Sequence, residues 1–350
     1  MSNEIKDLHT ISPSQALSYL NVCLSNHIVP MLWGPAGIGK TQLAYKVAEL
    51  AKLKLIDIRL TTTEPQDFNG YPDNRGEKAT YKEFDTFPIE GDKIPEGYKG
   101  WLVLVDELPS VNQTLQASAY KFLLERGVGQ KKLHPNVHVM AAGNDVNHDA
   151  ISYGMNDASG TRVAHFYLRA DVKDWLTWAY SVGIDHRITS FINYNHDHLY
   201  APQRKGENEY TFACPRTYER ANVFIQDEPN ELKSMFYMPL LASVLGRGMA
   251  QDFLMFTQVY KDLVSFEDIL SMPNSARMPT TGSGKHAITG VLASHVNADN
   301  ISKVTPYIER LDYEFRTLLI RDLAQRNREI MHNADYRKIQ AQLVLEATPG

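Results

Sequence analysis

Gly34-Pro35-Ala36-Gly37-Ile38-Gly39-Lys40-Thr41 satisfies the pattern G-x-x-x-x-G-K-[ST] at every defined position. Three glycines let the backbone curl with its N–H groups turned inward, the arrangement that cradles phosphate oxygens. The Lys40 ammonium can reach the β- and γ-phosphates of a nucleotide. The Thr41 hydroxyl can ligate Mg²⁺, and Gln42 carries the chain on into a helix. The bland alternative is a glycine-rich turn that binds nothing.

Four further features carry chemistry in the same direction. The apolar run Trp101-Leu102-Val103-Leu104-Val105 leads straight into Asp106-Glu107. Carboxylates at the carboxyl end of a parallel strand face the crevice where such sheets bind ligands, so Asp106 can hold Mg²⁺ and Glu107 can orient and deprotonate a water. Val137 to Gly143 is apolar, ends in small residues and is followed by Asn144-Asp145. The Asn144 amide can both donate and accept toward a γ-phosphate or a water, or it can simply close an Asx turn. Ser159-Gly160-Thr161-Arg162 precedes a short apolar run, so Arg162 is either a solvated surface arginine or a cation offered to a neighbouring subunit's phosphate. In Cys214-Pro215-Arg216, Pro215 suits the first position of a helix. Arg216 then sits where the helix dipole disfavours positive charge, which hints at an anionic partner, with Glu219 one turn on as the local alternative.

The elements that must position these residues are legible from periodicity and caps. Ile28 to Trp33 reads as a buried strand, and Gln42 to Lys52 as a helix with Leu43, Val47 and Leu50 on one face. Ser12 with Gln15 forms a capping box for a helix over 13–25. Further strands are expected at Leu53–Leu60, Trp101–Val105, His134–Met140 and Ala164–Leu168, with a helix over Gln113–Glu125. Residues 61–72 read as a loop, and 73–100 as irregular or hairpin-containing surface. Strands alternating with helices predict an α/β class, an αβα sandwich on a parallel five-stranded sheet. After residue 171 only helices are expected: 171–182, 186–194, 215–226, 231–245, 248–262, and one long helix from Thr305-Pro306 through Leu323. Residues 271–300 read as a linker or mobile loop. Within them Gly282-Ser283-Gly284-Lys285-His286 imitates a phosphate loop, but it has Pro279 in the first-glycine register and His286 where Ser or Thr is required.

Composition narrows the class. The 350 residues carry a net charge of −5 with 22% charged and 43% hydrophobic residues, so no global basic field draws the chain to nucleic acid. Two cysteines, Cys23 and Cys214, are too few for a disulfide framework. The polar start Met1-Ser2-Asn3-Glu4-Ile5-Lys6 lacks a signal-peptide apolar run, and the apolar stretch near Met235–Leu245 is too short to span a bilayer. A soluble cytoplasmic protein without a membrane partner is expected. His134, His138, His196 and His198 do not complete a zinc set and read as scattered surface histidines.

Phosphate loop, Asp-Glu strand, Asn strand, loop Arg and helical Pro-Arg follow one another here in an order that resembles AAA+ ATPases, most specifically MoxR-type members of the dynein-related group. The likeness covers roughly residues 12–270. Its less generic marks are Glu64-Pro65-Gln66-Asp67-Phe68-Asn69-Gly70, Leu123-Leu124-Glu125-Arg126-Gly127-Val128-Gly129, Ala141-Ala142-Gly143-Asn144 and Asp174-Trp175-Leu176-Thr177-Trp178-Ala179. The resemblance implies a P-loop NTPase core with a helical lid: residues 1–170 as the core, 171–270 as the lid, and 271–350 as a linker plus C-terminal helical extension. It implies ATP and Mg²⁺ as cofactors. Gly34 to Thr41 would be Walker A, Asp106 and Glu107 Walker B, Asn144 sensor 1, Arg162 the trans-acting finger and Arg216 sensor 2. It also implies a homo-oligomeric ring, commonly a hexamer, which hydrolyses ATP at subunit interfaces to remodel a protein client, often beside a von Willebrand factor A-domain partner. The loops near 67–90 and 126–136 would face a pore or substrate. The family's Asn-Arg-Phe at the finger is Thr161-Arg162-Val163 here, and Arg126 is a second candidate. The rival readings are a nucleic-acid translocase of the restriction type, GTP-using and working through Lys131-Lys132 and Arg204-Lys205, and a nucleotide-dependent assembly scaffold.

Overall fold

The computed structural model describes residues 10–75, 77–78, 80–144, 160–204, 209–229 and 232–347. Asp145, Ser159, Lys205 and the polar start of the chain, all used above, lie outside them. The chain divides into two compact units, 1–171 and 172–350.

The first unit is built on one parallel sheet. In chain order its elements are β1 (Thr10–Ile11), α1 (Pro13–Ser25), β2 (Pro30–Trp33), α2 (Lys40–Ala51), β3 (Leu53–Arg59), α3 (Pro65–Asn69), β4 (Tyr71–Asp73), β5 (Thr80–Lys82), β6 (Gly100–Asp106), α4 (Gln113–Glu125), β7 (Gly127–Val128), β8 (Lys131–Lys132), β9 (Val137–Gly143) and β10 (Ala164–Leu168). The strand order is β1-β10-β2-β9-β6-β3, every pairing parallel. The expected five strands are all present. A sixth, the two-residue β1, adds an edge too short to show in periodicity, pairing Ile11 with Leu168. Strand β6 is buried on both faces along its whole length, which is why it reads as an unbroken apolar run. Trp101, Val103 and Val105 pack with Leu115, Ala119, Phe122 and Leu123 of α4. Helices α1 and α2 pack on the sheet through Ala16, Leu20, Leu43, Ala44 and Val47, which completes an αβα sandwich.

The capping box at Ser12 and Gln15 forms as read. Two details differ. Leu50 is 64% exposed rather than sharing the buried face of Leu43 and Val47, because it falls in the last turn of α2. The segment read as the loop 61–72 contains α3, whose Pro65 occupies the first turn and whose Asp67 side chain accepts from the Glu64 N–H. The β7–β8 hairpin is bound to the segments that flank the β4–β5 hairpin. Gly129 N donates to Phe68 O, Lys131 pairs with Glu83 at 3.1 Å, and Glu90 N donates to Lys132 O.

The second unit is helical throughout its described residues: α5 (Val172–Ser181), α6 (His186–Tyr194), α7 (Pro215–Ile225), α8 (Ser234–Leu245), α9 (Arg247–Thr257), α10 (Phe266–Ser271), α11 (Gly282–His295), α12 (Ile301–Ile308), α13 (Tyr313–Arg326) and α14 (Ala334–Ala347), with short 3₁₀ turns between some of them. Two expectations are corrected. Residues 271–300 are not a mobile linker, because α11 is a central helix of this unit with Ala287 to Ala293 buried without a break. A helix buried all round has no amphipathic stripe, so periodicity missed it. Its small residues allow close packing, and a Cβ on Gly290 would lie 2.0 Å from the Ser190 hydroxyl oxygen of α6. The phosphate-loop mimic is the first turn of α11, capped by the Thr281 hydroxyl, not a flexible loop. The single long helix from Thr305 is instead α12 and α13, broken at 309–312. Asp312 stands at the N-cap of α13, and the Arg310 guanidinium donates to the carbonyls of Pro273 and Ala276. No helix among the described residues is long and apolar enough to cross a membrane.

This unit also buries ionisable groups. Arg187 is 1% exposed and donates to both carboxylate oxygens of Asp185 and to the carbonyls of Ile225 and Pro229. Next to it, burial pushes His186 down from 6.5 to about 4, against the upward pull of the Asp185 carboxylate. The ring is therefore neutral at pH 7, and folding must exclude its proton. A folded-state pKa below the unfolded one gives stability that is full above the unfolded value and is lost as pH falls from 6.5 toward 4. That loss reaches at most about 3 kcal/mol. Urea unfolding at pH 7.5 and pH 4.5 is expected to show a smaller pH-dependent loss in His186→Gln than in the natural protein. Equal losses in the two proteins count against the assignment.

Candidate functional site

Strands β2, β9, β6 and β3 lie side by side and parallel, so their carboxyl ends meet at one edge of the sheet. That edge collects Gly34, Asn144, Asp106-Glu107 and Thr61. The loop after β2 turns through left-handed backbone at Gly37 (φ 78°) and Gly39 (φ 99°), conformations that cost glycine least. At Gly34 the constraint is space, since a Cβ would lie 2.6 Å from Ile38 Cδ1 and 2.8 Å from the Leu168 carbonyl oxygen. Helix α2 then begins at Lys40 with no side-chain cap, leaving its first N–H groups aimed into the loop.

Lys40 is 8% exposed, and its ammonium donates to Gly34 O at 2.8 Å, Pro35 O at 2.9 Å and Asn144 Oδ1 at 2.8 Å. Such acceptors are what a buried ammonium needs. The Asn144 contact joins residues 104 positions apart. It puts the asparagine amide beside the lysine that the loop pattern assigns to phosphate.

Thr41 Oγ1 donates to Asp106 Oδ2 at 2.8 Å, and Asp106 Oδ1 accepts from the Glu107 N–H at 2.8 Å. Mg²⁺ demands a near-octahedral set of oxygens at 2.0–2.1 Å, so adjacent ligands stand about 3 Å apart. The Thr41 and Asp106 oxygens meet that spacing, and both are hard donors. Two such donors leave most of an octahedral shell to water or to a bound ligand's oxygens.

Glu107 carries the site's backbone outlier, a left-handed conformation at φ 64°, ψ 27°, which costs a non-glycine residue about 1 kcal/mol. Its carboxylate accepts from the Thr61 hydroxyl at the end of β3. On the same strand, Asp57 is held above its usual carboxylate range by burial and by the nearby charge of Asp106. Neither Thr61 nor Asp57 stands out in the sequence. The signal for Thr61 is its place just beyond a strand, and it becomes informative only once β3 is known to neighbour β6.

The arginines separate. Arg162 is exposed in the turn before β10, with no ion pair among the described residues. Ala164 pairs with Pro30 at the amino end of β2, so Arg162 lies at the opposite end of the sheet from Gly34. At about 3.3 Å per residue the intervening strand is about 13 Å long, too far for Arg162 to act on its own phosphate loop. Arg126 is committed within its own chain: its guanidinium donates to Val137 O at 2.7 Å, and burial lowers its pKa. Arg216 is the second residue of α7 in the second unit. It is exposed and makes no ion pair with Glu219.

Residues 30–156 match the model of the family described as ATPase family associated with various cellular activities (AAA). Solved structures similar to the chain include a candidate ATPase from Cytophaga hutchinsonii, at 14% identity over 97% of this chain and 91% of that one, with a TM-score of 0.38. They include a variant of RuvB from Thermotoga maritima, at 12% identity over 86% and 88%, with a TM-score of 0.41. NtrX from Brucella abortus in complex with ADP matches at 16% identity over 92% of this chain and 70% of that one, with a TM-score of 0.36. No curated protein matches the sequence.

The crowding at Gly34 makes a direct test. Gly34→Ala is expected to lower stability by about 1–3 kcal/mol and to abolish binding of a fluorescent ATP analogue. A variant that melts and binds like the natural protein would show that the loop has room to spare. The matched segment opens at Pro30, the first residue of β2, and takes in Lys40, Thr41, Asp106, Glu107 and Asn144. Residues 30–156 thus match the AAA ATPase family, and the described part of the first unit has a P-loop NTPase fold.

Proposed function

We propose that this protein is a MoxR-type AAA+ ATPase that hydrolyses Mg²⁺-ATP at the interfaces of a homo-oligomeric ring, of hexameric size, and uses the cycle to remodel or assemble a protein client. The observation that carries the reading is the convergence of Lys40 on Asn144 and of Thr41 on Asp106 at one sheet edge. The backbone N–H groups of Gly37 to Thr41 and the Lys40 ammonium would hold the phosphates, with Gln42 in the following turn. Thr41 and Asp106 would hold Mg²⁺, which when bound supplies positive charge to the phosphate oxygens. Glu107, oriented by a hydrogen bond donated from the Thr61 hydroxyl, would take the proton of the attacking water. Asn144 would orient that water or the γ-phosphate. Phosphoryl transfer asks mostly for positioning and charge, and these side chains provide both.

Arg162 is assigned to the neighbouring subunit's nucleotide, because it is exposed and stands at the wrong end of its own sheet. Arg126 is not, since its guanidinium already serves Val137. Arg216 is assigned to nucleotide contact as an exposed cation in a first helical turn, a place where positive charge is otherwise disfavoured. The partner class suggested by the MoxR likeness is a von Willebrand factor A-domain protein, and the division into core, lid and extension at 170 and 270 is part of the same proposal. Lys131 favours this reading over a nucleic-acid motor, because it is paired with Glu83 instead of presenting a free charge.

Steady-state ATP hydrolysis against protein concentration tests the shared site. Specific activity is expected to rise with concentration. Glu107→Gln is expected to bind ATP but turn over at least a hundredfold more slowly, and Arg162→Ala to lose turnover by a similar factor. Activity per subunit that is independent of concentration, together with a fully active Arg162→Ala, would sink the ring reading.

A further inference from the structure

Trp33 ends β2 and is the residue before Gly34. Its indole Nε1 donates to Nδ1 of His165 on β10 at 2.8 Å, and Nε2 of the same imidazole bonds the Gly160 carbonyl at 2.8 Å. An indole N–H can only donate and a carbonyl can only accept. The partners therefore assign the roles of the ring: Nδ1 accepts from the indole and Nε2 donates to the carbonyl. Register explains the meeting. Trp33 stands opposite Tyr167, and His165 lies two residues earlier on β10, on the same face. The Trp33 ring stacks on both, at 6.0 Å and 6.2 Å between centroids. Trp33 itself is 6% exposed, so its N–H has little water to turn to.

Gly160 begins the turn that carries Arg162. Within that turn the Gly160 carbonyl receives a long bond from Val163 N, at 3.5 Å. The short bond it receives comes from His165. Beyond the turn, Ala164 N is fixed to Val29 O at 2.9 Å. The arginine turn is thus tied at its far end by the sheet, and at Gly160 an imidazole holds it that in turn leans on the strand running into the phosphate loop.

We propose that His165 is a positioning residue. By holding the Gly160 carbonyl it sets where Arg162 is offered, and through Trp33 it links that setting to the strand of its own phosphate loop. This rests on the reading that Arg162 serves a neighbouring subunit's nucleotide. A subunit would then carry a hydrogen-bonded path from the strand before the loop that receives nucleotide to the turn that presents the arginine.

The two nitrogens of His165 can be tested separately in the full-length oligomer. Gln places its amide near the Nε2 position and Asn near the Nδ1 position. His165→Gln is expected to keep most of the ATPase kcat, and His165→Asn to lose about tenfold in kcat with KM for ATP within twofold. Arg162→Ala combined with His165→Asn is expected to be no slower than Arg162→Ala alone, because the two changes remove one function. The proposal is overturned if His165→Asn matches the natural kcat while Arg162→Ala is slow. It is overturned equally if Asn rescues and Gln does not, or if the double variant is slower than Arg162→Ala by the factor that His165→Asn shows alone. A fully active Arg162→Ala, which involves no change at His165, removes the underlying reading itself.

Discussion

The chemistry of the first unit depends on four strands pairing in parallel in the order β2, β9, β6, β3. Parallel pairing sends every carboxyl end to one edge. The order then decides which ends are neighbours. Placing β9 between β2 and β6 is what brings Asn144 to Lys40, and placing β3 beside β6 is what brings Thr61 to Glu107. None of these pairs is close in sequence. The apolar filling of the sheet, with β6 buried on both faces, is therefore as much a part of the site as the polar groups at its rim.

Burial also sets the electrical character of that rim. A lysine and an aspartate, each 8% exposed, stand at the same edge of the sheet. The ammonium is satisfied by carbonyls and an amide, and the carboxylate by a hydroxyl and an N–H. Neutral groups thus contribute to stabilising both charges. A phosphate and its cation can enter that arrangement by exchanging hydrogen bonds with these groups.

Much of this was readable in the chain. The glycine loop, the Asp-Glu pair and the strand before Asn144 are local patterns, and local patterns survive in a linear sequence. What was not readable depended on which strands are neighbours or on helices without a polar face. Thr61 is one of three consecutive threonines, and nothing local separates it from Thr62 or Thr63. The pairing of His165 with Trp33 spans 132 positions and needs the β2–β10 register. Helix α11 was hidden for the opposite reason. Its glycines, serines and threonines are the residues of a loop by composition, and they are small here because α6 packs against them. In sequence, Arg162 is the first candidate for the finger and Arg126 the second. Only the carbonyl held by one, and the exposed position of the other, tells them apart.

The left-handed backbone at Glu107 has a consequence for how this position can vary. Glycine and asparagine suit that conformation better than glutamate does, so either would relieve strain and favour the folded state. Neither has a carboxylate. On the proposed reading, position 107 is a site where selection for a sturdier fold and selection for turnover pull against each other. Sequences drifting without demand for hydrolysis would be drawn toward glycine or asparagine there. A lineage that keeps glutamate holds it against a standing conformational preference, and that makes residue 107 a compact record of whether the chemistry is still in use.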